Sequence, residues 1–185
     1  MIKYSDKITV KGKKYDAVLL KAEKKDGPEL KRLYNAWLEL KNGLTNFESR
    51  APNLPEGISE GAFSLEFSCP RVLNVTGTSG SYDCYNPKTH ERIQIKATTI
   101  RYDLTSFGPN SVWDVLYLLD FYRDGKFDGK YDVYKIPNDL IYNHQISRTQ
   151  TFRDQQAEGR RPRFGIKRSI IEAHKIKPVK TCTVG

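Results

Sequence analysis

Asp83, Gln94 and Lys96 are residues whose types and spacing suit phosphate chemistry. The segment Arg92–Thr98 alternates as a strand does, with Ile93, Ile95 and Ala97 pointing one way and Arg92, Gln94, Lys96 and Thr98 the other. Gln94 and Lys96 therefore share a face. If Asp83 lies on a neighbouring antiparallel strand, joined through a turn at Asn86-Pro87-Lys88, an acid, an amide and a lysine converge on one spot. Such a group could hold a divalent metal beside a phosphate. Phosphodiester hydrolysis needs negative charge neutralised on the phosphate oxygens and a deprotonated water in line. A carboxylate anchors Mg²⁺, a hard cation that takes oxygen ligands, and the metal acidifies its water. In this reading Asp83 is the anchor, the Gln94 side-chain oxygen a neutral ligand, and the Ile95 carbonyl a further one. Lys96 orients the attacking water or neutralises the phosphate. Glu60, arriving from a preceding helix, restores the charge that a glutamine lacks. The competing reading is ordinary: a half-exposed strand with polar alternation, and an aspartate that closes a turn.

The elements that must position these groups follow from the flanking sequence. Asp26-Gly27-Pro28-Glu29 reads as a helix start, with Asp26 as cap and Glu29 completing a capping box. Leu30, Leu33, Tyr34, Trp37 and Leu40 mark one face of that helix, and Asn42-Gly43 ends it. The stripe with Tyr34 and Trp37 suits either the chain's own core or a dimer contact. Asn53-Leu54-Pro55-Glu56 opens a second helix whose apolar face is Ile58, Ala62 and Leu65, and Pro70 forbids its continuation. Glu56 and Glu60 lie one turn apart on it. Val72–Val75 is expected as a strand, 77–81 as a small-residue turn, and Val115–Tyr122 as a buried central strand. Tyr131–Ile136 returns beside it after the turns at Asp124-Gly125 and Asp128-Gly129, and a short helix starts at Pro137. Thr98–Leu104 is expected to prolong the catalytic strand. Residues 2–20 suit a hairpin about Gly12 or entry into a helix running to Lys25. Residues 105–111 and 148–163 read as loops, 169–175 as either element, and Lys180 onward as a frayed tail.

The 185 residues are 38% hydrophobic and 11% aromatic, enough for one folded domain. No apolar run approaches the roughly 20 residues that span a bilayer, and the N-terminus lacks a signal-peptide core, so the expected location is the cytoplasm. Cys69, Cys84 and Cys182 are far apart and form no C-x-x-C pair, and the three histidines are not at zinc-ligand spacing. Net charge is +9, with an isoelectric point near 9.4. Between Ile146 and Lys180 ten Lys/Arg face three Asp/Glu, so most of the excess sits there. An anionic partner is expected, nucleic acid before a membrane surface.

Asp83 with Gln94-Ile95-Lys96 resembles the PD-(D/E)xK nuclease signature. The segments Ile100–Thr105, Tyr122–Gly125 with Tyr134–Leu140, and Pro162–Lys167 are similar in order and type to the PvuII branch of type II restriction enzymes. Leu54–Glu60 resembles the helix that such enzymes place before the metal-binding strand. As a whole the chain looks most like the small type II enzymes that cut GCNGC, over roughly residues 50–180. The chain departs from the pattern at Gln94, where an acid is usual, and at Tyr82, where a proline is usual. It is also shorter between Thr105 and Val115. The resemblance implies an α/β fold with a mixed central sheet flanked by helices, preceded by a helical N-terminal part. It implies a Mg²⁺-dependent, sequence-specific double-strand DNA endonuclease acting as a homodimer, whose target is shared with a cognate methyltransferase.

The same comparison places Arg160, Arg161 and Arg163 where the PvuII branch reaches base edges. Arginine suits paired contacts with guanine O6 and N7, so three of them fit a G/C-rich palindrome. Lys167 and Arg168 are expected on phosphates, and Ser106 and Asn110 in a base-reading loop. One nuclease domain, 1–185, is expected in three parts: 1–48 as an N-terminal dimerisation region, 49–145 as the catalytic core and 146–180 as the basic DNA-reading region. Two other readings remain open: a structure-specific nuclease of the junction-resolvase kind, and a basic DNA-binding module without catalysis.

Overall fold

The computed structural model describes residues 1–77, 80–102 and 104–185. The turn expected at 77–81 and the stretch 100–105 therefore fall partly outside the described residues. The chain opens as a β-hairpin, β1 (Ile2–Val10) and β2 (Lys13–Lys21), paired residue for residue. Lys11 and Gly12 carry φ of 49° and 77°, the two positive values that a tight hairpin turn of type I′ demands. The N-terminal part is thus a hairpin followed by a helix, rather than helical from the start. Ile8, Val10, Ala17 and Leu19 bury one face of the hairpin against Tyr82 and Tyr85.

Helix α1 (Gly27–Thr45) begins where Pro28 predicts but runs past Asn42-Gly43. Asp26 does not cap it. Its carboxylate takes the Glu23 N–H at 2.8 Å and the chain's N-terminal amine, and Glu29 pairs with Arg32 instead of closing a capping box. Leu30, Tyr34 and Trp37 are buried, whereas Leu33 and Leu40 are exposed. The Trp37 ring packs in the chain's own core. Helix α2 (Glu56–Phe67) crosses α1 closely: a Cβ on Gly61 would sit 2.9 Å from a Leu30 methyl. It ends in a left-handed Ser68, two residues before Pro70.

The remaining strands are β3 (Arg71–Val75), β4 (Cys84–Tyr85), β5 (Arg92–Thr98), β6 (Thr105–Ser106), β7 (Val115–Asp120), β8 (Lys130–Ile136), β9 (Arg163–Phe164) and β10 (Lys180–Thr183). Eight of the ten strands among the described residues form one curled sheet in the order β1-β2-β3-β4-β5-β7-β8-β10, and β6 pairs with β9 separately. Neighbours are antiparallel except β5 and β7, which run parallel. On one face Ile93, Ile95, Leu119 and Val133 pack under α1 and α2. On the other, Leu116, Leu118 and Ile136 meet α3 (Asn138–Tyr142), α4 (Phe152–Ala157) and a π-helical turn at Lys167–Glu172. The architecture is a mixed α/β sheet flanked by helices, as the sequence leads one to expect.

Three expected loops or tails differ. Strand β5 stops at Thr98, whose hydroxyl donates to the Ile100 carbonyl at 2.8 Å and bends the chain, so residues 99–102 do not prolong it. The segment 148–163 contains α4, started by a Thr151–Asp154 capping box and anchored by fully buried Phe152. Residues from Lys180 are not frayed: β10 closes the sheet edge and buries Cys182 and Val184. No helix among the described residues is long and apolar enough to cross a membrane.

Candidate active site

Asp83 sits one residue before β4, held from both sides. Its N–H donates to the Ile93 carbonyl at 2.9 Å, and its own carbonyl takes the Val72 N–H at 2.9 Å. Because β4 is two residues long, the ladder along β5 ends beside Ile93. The Ile95 N–H beyond it would lack a strand partner, and the Asp83 carboxylate supplies one: Oδ2 accepts it at 2.7 Å and also takes the Gln94 side-chain amide. Oδ1 takes no hydrogen bond among the described residues. The Asn86 side chain, accepting the N–H groups of Lys88 and Thr89, shapes the turn that brings β4 back to β5.

Glu60 reaches the same place from α2. Arg71, opposite Cys84 in the β3–β4 pairing, donates through Nε to Glu60 Oε2 at 2.7 Å. Lys96 lies over the Phe107 ring, 5.1 Å from its centroid. Together Asp83, Glu60, Ile95 and Lys96 line a cleft of about 610 Å³ whose walls include Glu56, Lys41, Arg50, Thr105 and Ser106.

Burial dominates the electrostatics. It pushes the Glu60 carboxyl up to about 7, with the Asp83 charge adding and Arg71 opposing. It raises Asp83 to about 6, against the Ile95 N–H and the Lys96 charge. It lowers Lys96, against the pull of Asp83 and Glu60. Glu56 adds negative potential at both acids. The cleft thus holds two carboxyls that resist ionising and a lysine whose protonation burial disfavours.

No three His, Cys, Asp or Glu side chains gather into a metal cage among the described residues. The donor set nevertheless fits a hard divalent cation. Asp83 and the Glu60 carboxyl offer anionic oxygens, and strand geometry sends the Ile95 carbonyl to the same edge as its N–H. Two neighbouring acids held above their ordinary values are what a cation between them would discharge. Gln94 presents its amide nitrogen to Asp83 here, and the oxygen-donor role expected of it requires that amide turned end for end.

Among the residues expected to read DNA, β6 and β9 bring two distant segments together: Ser106 stands opposite Arg163 and Thr105 opposite Phe164. The charge of Arg161 reaches Lys96. Arg160 is tied to Gln150 at 2.7 Å and near Glu158. Asn110 is exposed, and its backbone carbonyl accepts from Ser81, two residues before Asp83. Arg168 is exposed beside the Tyr102 ring. Lys167 is a correction. It is buried, and its Nζ donates to Asp120 at 2.6 Å, so it has no free charge for a phosphate.

Over residues 22–173 the chain matches the Bsp6I restriction endonuclease family. It belongs to that family. The type II restriction enzyme Bsp6I of Bacillus sp. (strain RFL6) is 38% identical over 165 residues, which cover 86% of this chain and 89% of that one. No solved structure matches. As a Bsp6I-family enzyme the chain is a site-specific deoxyribonuclease, and DNA is its partner. Every candidate residue named above falls inside the family span.

The sequence did not single out several residues that stand at this cleft. Arg71 follows Pro70 at the head of a strand, and nothing local announces that α2 will deliver Glu60 to it. Lys41 and Arg50 read as surface charge of the N-terminal part yet line the cleft. Arg92, on the face of Gln94 and Lys96, is spent on Asp114, with Nε to Oδ2 at 2.9 Å and Nη2 to Oδ1 at 2.7 Å. Its spacing was correct for the site, but a buried two-pronged ion pair uses it to tie β5 to the start of β7.

Proposed function

We propose that this restriction enzyme hydrolyses both strands of a short G/C-rich palindrome, of the GCNGC type, with Mg²⁺ at a PD-(D/E)xK-like site built from Asp83, Glu60, Gln94 and Lys96. One observation carries the reading: two half-buried carboxyls with raised pKa values beside a half-buried lysine in a single cleft. Asp83 Oδ1, the Glu60 carboxyl and the Ile95 carbonyl are the oxygens that would hold the cation. Bound there, Mg²⁺ supplies charge neutralisation at the phosphate and acidifies water. Lys96, disfavoured as a cation by burial, orients the attacking water through Nζ and accepts its proton. Gln94 and the Ile95 N–H fix the Asp83 carboxylate, and Arg71 fixes Glu60. Phe107 shields Lys96 from bulk water.

Arg161 and Arg163, presented beside Ser106 by the β6–β9 ladder, read guanines, with Arg160 and Asn110 at the borders of the same surface. Arg168 meets phosphate. A palindrome calls for two copies about a two-fold axis, one cleft per strand. The methyltransferase that protects the host shares the target and need not bind the enzyme.

Digestion of a sequenced plasmid with Mg²⁺ or with EDTA, followed by mapping of the ends, tests this. Discrete bands with Mg²⁺ and none with EDTA are expected. Lys96→Ala should lower the rate by ~10²–10⁴-fold, the usual weight of a positioned acid–base group, with the fold unchanged by circular dichroism. A full-rate Lys96→Ala enzyme places the chemistry elsewhere, and scattered ends would indicate structure-specific cutting.

A further inference from the structure

Helix α1 has a second apolar stripe, and nothing among the described residues covers it. Its first, Leu30, Tyr34 and Trp37, is spent in the core. The second is Leu33, Ala36, Leu40, Leu44 and Phe47. Leu33 is 39% exposed, Leu40 54% and Phe47 82%; Ala36 is exposed and Leu44 half-buried. Phe47 follows the helix proper, but its N–H donates to the Leu44 carbonyl at 3.1 Å, so the winding continues to it. Single exposed leucines need no explanation; an aligned row of them does.

The spacing of the row suits a second copy of the chain. Counted from Leu40, the other members stand seven and four residues before it and four and seven after it. The pattern reads the same in both directions. A two-fold axis passing through Leu40 sets Leu33 against Phe47 of a second copy, Ala36 against Leu44, and Leu40 against itself. That is the residue-for-residue reciprocity of an isologous contact, with the three- and four-residue intervals of antiparallel helices. Any helix face offers this symmetric spacing; a second copy is the occupant chosen because a palindromic target calls for one and the row ends beside the cleft. The row carries no charged side chain and extends along about 21 Å of helix.

We infer that α1 pairs antiparallel with α1 of a second copy of this chain, with Leu40 on the two-fold axis. This rests on the dimeric reading given above and assigns its surface. Lys41, the next residue, and Arg50 line the cleft. The axis therefore runs beside both clefts and brings the two cutting sites to one duplex. Trp37, on the same helix, holds that helix to its own core while the Leu40 stripe meets the partner.

Sedimentation velocity on the full chain, free of metal and DNA at low micromolar concentration, should give the mass of two chains. Leu40→Glu should give the mass of one, with unchanged circular dichroism, since the position faces solvent within each chain. Oxidation of Leu40→Cys should cross-link two copies, while Asn35→Cys on the polar side should not. Leu33→Cys and Phe47→Cys should cross-link when mixed and not separately. The native Cys69, Cys84 and Cys182 are buried and do not compete. A monomeric wild type, a Leu40→Glu dimer, or equal cross-linking through Asn35→Cys overturns the assignment. Because neither DNA nor metal is present, a monomer that still cuts at discrete sites would sink the interface and spare the nuclease reading. A dimer that never cuts would do the reverse.

Discussion

Asp83 and Glu60 ionise with difficulty in the folded chain, and this has a sign that can be measured. A carboxyl whose folded value is raised, to about 6 for Asp83 and about 7 for Glu60, binds its proton more tightly folded than unfolded. Its contribution favours the fold below the ordinary carboxylate range and is lost as pH rises through the raised values. The metal-free protein should therefore lose stability between about pH 4 and pH 7, and saturating Mg²⁺ should cancel most of that loss. Asp83→Asn should make the metal-free protein more stable at pH 8, by ~1–3 kcal/mol, while ending cleavage. The asparagine oxygen still accepts from the Ile95 N–H. Urea denaturation at the two pH values measures this, and a metal-free stability that is flat with pH would refute it.

At the scale of elements, the short β6–β9 ladder would, on the proposed function, join chemistry to recognition. It pairs the loop after the catalytic strand with the arginine segment, and the Phe107 N–H donating to the Pro162 carbonyl at 3.1 Å extends it. Arg161→Ala should cost ~1–3 kcal/mol of discrimination at one base pair, read by comparing cleavage of substrates that differ there. A uniform loss on all substrates would make it a phosphate contact. The strands β3, β5, β7 and β8, and both long helices, were legible in the sequence because each has a full periodic pattern of apolar residues. So was the convergence of Asp83, Gln94 and Lys96, which follows from a period of two and a short turn. Helix α4 was not, because its single large apolar residue, Phe152, stands among arginines that read as an exposed arm. Strand β10 was not, because an edge strand of Lys180-Thr181-Cys182-Thr183 presents one buried side chain and no alternation. Lys167 misled for a related reason: a lysine in a basic run is read as solvated, and its partner Asp120 lies far away in sequence.

The whole molecule is closed by its C-terminal edge. Val184 and Cys182 enter the main core beside Tyr131 and α1, and Lys180–Thr183 covers β8. A chain ended at Val179 loses those side chains and uncovers a strand edge. Its stability should fall by ~2–5 kcal/mol, since each buried side chain contributes ~1.5–3. Chemical denaturation is the measurement, and an unchanged midpoint would mean that β10 is ornamental. The edge also has a consequence in time. Synthesis runs from the N-terminus, so Glu60, Asp83 and Lys96 are all made while the strand that completes their supporting core is still absent. The arginine segment and β10 arrive afterwards, recognition first and closure last. A half-made chain holds the proposed cutting residues on an unfinished sheet, and the core beneath them is completed only once the arginine segment is already attached.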